Sequence, residues 1–200
     1  MIEKTDYEPE VLAKLEADGL SKKRRRALLS KLRQVGTERS IDVLRANLRS
    51  QDVKSQVRAV FALAHIGTEE AADALIDSLA VTTGPGFTFA VKSLAEGRAA
   101  RARPAFVRTL EERHDELRQG DKQVLVWALY QTPHRSEVPV LATLLGERSK
   151  STRRMAAVAL AQIKATESRE ALEEAVKTLS WLRGRQARRA LRLLRYVNGE

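Results

Sequence analysis

Few side chains in this chain are suited to chemistry, and most of those that are belong to arginine. The three histidines, His65, His114 and His134, show no metal-ligand spacing, and no motif offers a serine or cysteine nucleophile. "GPG" at 84–86 lacks the remainder of a phosphate-binding loop. Catalysis therefore has no positive support, the reading leans to a non-enzymatic protein, and neither a metal nor a cofactor is expected. What the residues offer is binding. "SKKRRR" at 21–26 gathers Lys22, Lys23, Arg24, Arg25 and Arg26. "RGRQARRALRLLRYVNGE" at 183–200, folded as a helix, puts Arg185, Arg188, Arg189, Arg192 and Arg195 on one face. Ala187, Ala190, Leu191, Leu194 and Val197 fall on the other. Arginine presents a rigid donor fork that suits phosphates and carboxylates.

Each cluster also has a structural reading. Cations at a helix start oppose the helix dipole by about 0.3–1 kcal/mol each. Either a partner or the acidic leader (Glu3, Asp6, Glu8, Glu10, Glu16, Asp18) must offset those at 21–26. The second cluster equally suits the polar outer face of a terminal helix in a stack.

Composition narrows the partners. The chain has 200 residues, is 43% hydrophobic and carries 36 basic against 26 acidic side chains, a net charge of +10 that favours acidic partners. It has no cysteine, which excludes disulfides and thiolate zinc sites and points to a reducing, cytoplasmic setting. The start, "MIEKTDYEPE", is charged, and no stretch approaches the roughly 18 apolar residues of a membrane span, so no membrane insertion is expected.

The elements that must position these residues form a repeat. From Gly36 and Gly67, similar surroundings recur at Arg98, Pro133, Lys164 and Asn198, at spacings of 31, 31, 35, 31 and 34. Four residues before each stands a leucine: Leu32, Leu63, Leu94, Leu129, Leu160 and Leu194. Eight before stands a small or apolar residue: Leu28, Ala59, Ala90, Leu125, Ala156 and Ala190. The two positions share a helical face. Beyond the turn a second helix carries Leu44, Leu75, Phe106, Leu141 and Leu172, and four later Leu48, Leu79, Leu110, Leu145 and Val176. In "HIGTEEAADALIDSL" (65–79) and "QVGTERSIDVLRANL" (34–48), glycine is expected to take the left-handed backbone that ends one helix. Threonine caps the next, and glutamate complements its dipole. One such pair cannot bury its own apolar face, so pairs must stack.

"QDVKSQVRAVFALAHIGTEEAADALIDSL", 51–79, resembles a HEAT-like repeat of the kind found in phycobilisome lyases and many prokaryotic scaffold proteins, with Asp52, Val57 and Arg58 at that family's Asp and Val-Arg positions. "STRRMAAVALAQI", 151–163, is a second match, and the period extends the resemblance over about 21–197. "TTGPGFTFAVKSLAEG" and "QTPHRSEVP" depart from it. The resemblance implies that the Val-Arg helices line a concave inner surface. Bilin lyases share this fold, as do DNA glycosylases that read alkylated bases on a basic concave face. Trp127, Trp181 and the arginines are similar in kind to the glycosylase equipment, but Gln131 stands where a carboxylate would follow Trp127 by one turn.

The expected fold is all-α, a right-handed α-solenoid of about six antiparallel helix pairs in one domain, 1–200. It comprises a capping helix at 1–20, repeats at about 21–50, 51–80, 81–118, 119–147 and 148–180, and a capping helix at 181–200. Two surfaces follow. Positions two and six before each reference turn place Phe61, His65, Lys92, Glu96, Trp127, Gln131, Gln162 and Tyr196 along a groove, with Trp127 expected to be buried. The starts of the first helices place Lys22 to Arg26, Lys54, Arg58, Lys122, Arg153, Arg154 and Arg185 on a basic rim. Glu38, Glu69, Glu70, Glu137 and Glu167 form an acidic one. Polyanion binding is assigned to Lys22, Lys23, Arg24, Arg25, Arg26, Arg58, Arg153, Arg154, Arg185, Arg188, Arg189 and Arg192. "TTGPGF" at 82–87 reads as an insertion or a flexible loop able to close over a ligand. The expected function is a scaffold that binds a protein partner through the groove and basic rim. Nucleic-acid binding, with a glycosylase-like or bilin-lyase-like protein as its enzymatic form, is the alternative, and the oligomeric state is left open.

Overall fold

The computed structural model describes residues 7–17 and 19–198, with side chains described as far as 194. The described residues form twelve α-helices and three short 3-10 turns, with no strand. No helix among them is long and apolar enough to cross a membrane.

The helices gather into two compact units, Met1–Arg98 and Ala99–Glu200. The first holds α1 (Glu8–Glu16), α2 (Lys22–Val35), α3 (Ile41–Leu48), α4 (Val53–Ile66), α5 (Glu69–Ser78) and α6 (Pro85–Gly97). Within it α2, α4 and α6 pack side by side as one layer and α3 and α5 as the other, with α1 against α2 and α3. The second holds α7 (Ala99–Glu112), α8 (Gln119–Gln131), α9 (Val138–Thr143), α10 (Lys150–Ile163), α11 (Thr166–Thr178) and α12 (Arg185–Asn198). There α8, α10 and α12 form one layer, and α7, α9 and α11 the other. The division falls within the expected repeat 81–118, giving α6 to one unit and α7 to the other.

The recurring leucines explain the layers. Leu32, Leu63, Leu94, Leu129, Leu160 and Leu194 are all buried, and the alanines at 59, 90, 156 and 190 let neighbouring helices approach closely. Each leucine buried from water contributes about 1.5–3 kcal/mol. In the first unit its carbonyl has a second use, because the reference N–H of Gly36, Gly67 and Arg98 donates to Leu32, Leu63 and Leu94 at 2.8, 3.1 and 2.7 Å.

The two Gly-Thr turns are not alike. Gly67 takes the left-handed backbone at φ 68°, and Thr68 then caps α5 by accepting from the Ala71 N–H. Gly36 does not, having φ −67°. Its glycine is required by space, since a Cβ there would sit 2.5 Å from the Leu32 carbonyl oxygen. The left-handed expectation is therefore corrected at Gly36, while Lys164 adopts that backbone (φ 56°) without being glycine. "TTGPGF" is also not a free loop. Gly84 and Pro85 start α6, Phe87 is fully buried, and the Thr82 hydroxyl donates to the Ser78 carbonyl at 2.8 Å.

Candidate binding groove and arginine edge

In the first unit the exposed sides of α2 and α4 leave a cleft of about 990 Å³. Ser30, Arg33, Gln34 and Val35 line it from α2, and Val57, Arg58, Phe61 and His65 from α4, so the described lining contains no acidic residue. The Arg33 guanidinium lies 5.3 Å from the Phe61 ring centre. The other neighbour of Phe61 is Phe89 of α6, at 4.2 Å between ring centres and tilted by 52°. Arg58 is braced across the cleft by donating to the Ser30 hydroxyl at 2.9 Å and the Lys54 carbonyl at 3.0 Å. Phe61 and His65 both line this cleft from α4, and Lys92 and Glu96 are exposed on α6. Sequence reasoning missed Arg33 and Phe89. The spacing of Phe89 to Lys92 and Glu96, three and seven residues, was the available signal.

The second unit holds Trp127 half-buried, not buried as expected, with Gln131 exposed four residues on; Gln162 is exposed on α10. Tyr196 lies outside the residues whose side chains are described.

The basic rim is altered most by the structure. Arg26 is not available to a partner, because its guanidinium grips Asp52 through Nε–Oδ2 and Nη2–Oδ1 at 2.7 and 2.5 Å. Asp52 also caps α4 by accepting from the Ser55 N–H and hydroxyl, at 3.1 and 2.6 Å. The Arg26 guanidinium, aided by the Ser55 hydroxyl, holds the Asp52 carboxyl far below the ordinary aspartate range. Arg25 reaches the Asn47 side chain at 3.5 Å. Arg153 is buried and donates to the carbonyls of Glu147 and Arg148 at 2.6 and 2.8 Å, which fixes the entry to α10. Lys122 is also buried, with its ammonium 2.8 Å from Glu147, which also has His114 Nε2 at 2.7 Å and the Gln119 amide N–H donor at 3.4 Å. Burial alone would raise the Glu147 pKa, but the hydrogen bonds from Lys122 and Gln119 and the nearby cations outweigh it and lower it. This cluster borders a cleft of about 890 Å³ whose charges are mixed.

The rest of the rim, Lys22, Lys23, Arg24, Lys54, Arg154, Arg185, Arg189 and Arg192, is exposed. Arg188 is not part of that free set. It donates to the Trp181 carbonyl and lies 5.6 Å from the centre of the Trp181 ring.

Among the described residues of the acidic leader, Glu8 and Glu10 do not pair with the cations at 21–26. Glu8 turns instead to the start of α3, accepting from the Thr37 N–H and hydroxyl at 2.7 Å each and from the Ser40 hydroxyl. Burial would raise its pKa, but these hydrogen bonds lower it. Glu10 pairs with Lys14, while Glu3, Asp6 and Asp18 lie outside the described residues. The acidic helix starts are used in pairs between helices: Arg98 with Glu69 at 3.1 Å, Arg103 with Glu137 at 2.9 Å, and Arg135 with Glu167. Each of these pairs takes up one cation with one carboxylate.

Layered helix pairs of this kind define an α-solenoid repeat protein. The structure is similar to a designed armadillo repeat protein, with a TM-score of 0.50 and 18% identity over 93% of this chain and 99% of that one. The repeats are HEAT-like: residues 119–192 match the HEAT repeat model and residues 55–80 the PBS lyase HEAT-like repeat model. No curated protein matches the chain in sequence.

Proposed function

We propose that this protein is a non-enzymatic scaffold that binds an acidic segment of a protein partner in the cleft between α2 and α4. The observation that carries this reading is the cleft's lining, which holds Arg33, Arg58, His65 and the Phe61 ring, itself paired with Phe89, and no acidic residue among those described. Aromatic and arginine side chains together supply most of the binding energy at protein interfaces, and a one-signed lining selects for the opposite charge. The braced Arg58 and the stacked Arg33 lose little freedom on binding. A cysteine-free chain fits a cytoplasmic partner.

The test is a peptide array of acidic segments with and without a leucine or aromatic anchor, followed by anisotropy titration at physiological salt. The full chain should select anchored acidic peptides, and Phe61→Ala and Arg33→Ala should each weaken them about tenfold or more. Equal binding by both variants would remove the cleft from the proposal.

A further inference from the structure

Trp181 is the most exposed aromatic side chain among the described residues, at 69% exposure, and it stands in the turn just before α12. Its setting is built. Arg188 covers the ring at 5.6 Å and donates to the Trp181 carbonyl. The turn is closed by the Gly184 N–H donating to the Ser180 carbonyl at 2.9 Å, and α12 begins with the Arg188 N–H donating to Gly184 at 3.0 Å. Gly184 is buried here, and a Cβ on it would lie 3.3 Å from the Arg188 guanidinium and 3.4 Å from the Ala175 carbonyl. The indole is therefore held in place and still largely open to solvent.

From Trp181 a stripe of exposed arginines runs along α12. Ala187, Ala190 and Leu194 bury the other side of the helix, which leaves Arg185, Arg189 and Arg192 outward. The sequence has no acidic residue from 175 to 199, so no neighbour along this segment cancels the charge. Arg185 to Arg192 spans roughly 10 Å of helix, about three nucleotides at the rise of one stacked strand.

We infer that Trp181 and the Arg185–Arg189–Arg192 stripe form a binding site for single-stranded nucleic acid, with an unpaired base stacked on the indole and the following phosphates on the arginines. Charge complementarity selects a polyanion, and the fixed, open aromatic ring selects one that carries unpaired bases. Single-strand binders combine these two features, a cationic track and a stacking platform. A duplex keeps its bases inside the stack and offers Trp181 nothing. An acidic peptide could use the arginines but has no need of a ring held by a guanidinium. The site stands in the second unit and does not depend on the cleft between α2 and α4.

The experiment is fluorescence anisotropy with the full chain and labelled 15-nucleotide single strands (oligo-dT and oligo-U), a 15-base-pair duplex, and polyglutamate as competitor, at low and physiological salt. Single strands should bind at physiological salt and more tightly than duplex. Trp181→Ala should weaken them by about 5- to 100-fold and Trp181→Phe by much less. Changing Arg185, Arg189 and Arg192 to Ala should lower the salt slope by about 2. Circular dichroism checks that each variant is folded, and Phe61→Ala should bind single strands as the parent does. Four outcomes would overturn the site: no binding at physiological salt, equal affinity for duplex, an unchanged Trp181→Ala variant, or displacement by polyglutamate at matched charge. The last would identify the stripe as a dock for acidic protein.

Discussion

The segments 21–26 and 183–192 are both rich in arginine, and the fold uses them differently. At the start of α2, Arg26 is held by Asp52 one helix away and Arg25 leans on Asn47, so part of the cluster ties α2 to its neighbours. Around α12, Arg188 is spent on Trp181, while Arg185, Arg189 and Arg192 stay in solvent. The difference lies in what stands opposite. Asp52 has to be where it is to cap α4, and an arginine within reach of a fixed carboxylate becomes a structural group. No carboxylate occurs from 175 to 199, so no neighbour along that segment pairs with Arg185, Arg189 or Arg192. Which cations stay exposed is in this sense a remainder, set by which ones the caps and ion pairs take up.

The largest effect that would sharpen this contrast comes from a third arginine pair. Glu137 is fully buried with Arg103 Nε 2.9 Å away, and burial, outweighing Arg103 and the His134 N–H, pushes its pKa up from 4.5 to about 7. A carboxyl whose folded pKa is raised stabilises fully below its unfolded value, and that contribution is lost as pH rises through the folded one. Stability should therefore fall between about pH 4.5 and 7, by on the order of 3 kcal/mol for a shift of this size. Glu137→Gln should flatten that part of the profile in urea titrations, and an unchanged profile would mean that Arg103 keeps the carboxylate charged. Next comes Asp52→Ala, which removes the cap of α4 and should cost about 1–2 kcal/mol from the cap alone. The lowered pKa of Asp52 gives the opposite pH sign to Glu137. Its contribution is present above the ordinary aspartate value of 3.8 and disappears as pH falls below it, so the variant should lose the acid limb of the parent's curve. The smallest effect is the most diagnostic of free charge. Arg185→Ala and Arg189→Ala should each leave the melting temperature unchanged by calorimetry, within about 0.5 kcal/mol of stability. A clear drop would place them with Arg26.

Much of the fold was legible because its signal is periodic. One leucine in each repeat, four residues before each reference turn, marks the buried side of every first helix, and all six are buried. The turns were legible in kind but not in backbone, since Gly36 and Gly67 carry the same Gly-Thr phrase and only Gly67 is left-handed. The site was legible in part. Phe61 and His65 were found from the helical face, but Phe89 comes from the next first helix, α6, and Arg33 from the one before, α2. Which cations remain free could not be read from charge alone. Arg26 and Arg24 look equivalent in "SKKRRR", and only Arg26 points at Asp52.

By itself the sequence determined an all-α repeat: the period, the leucine stripe, the caps and the net charge are local properties that a helix imposes on any chain of this pattern. Tertiary structure alone decided the partners of the charges. It set Glu8 on Thr37 and Ser40, Arg103 on Glu137 and Arg188 on Trp181, and it left the lining of the α2–α4 cleft and the α12 stripe without a matching acid among the described residues. The physical reason is range. Helix formation is fixed within one or two turns of chain, whereas most of these pairings join residues about one repeat apart, whose distance is set only when neighbouring helices pack.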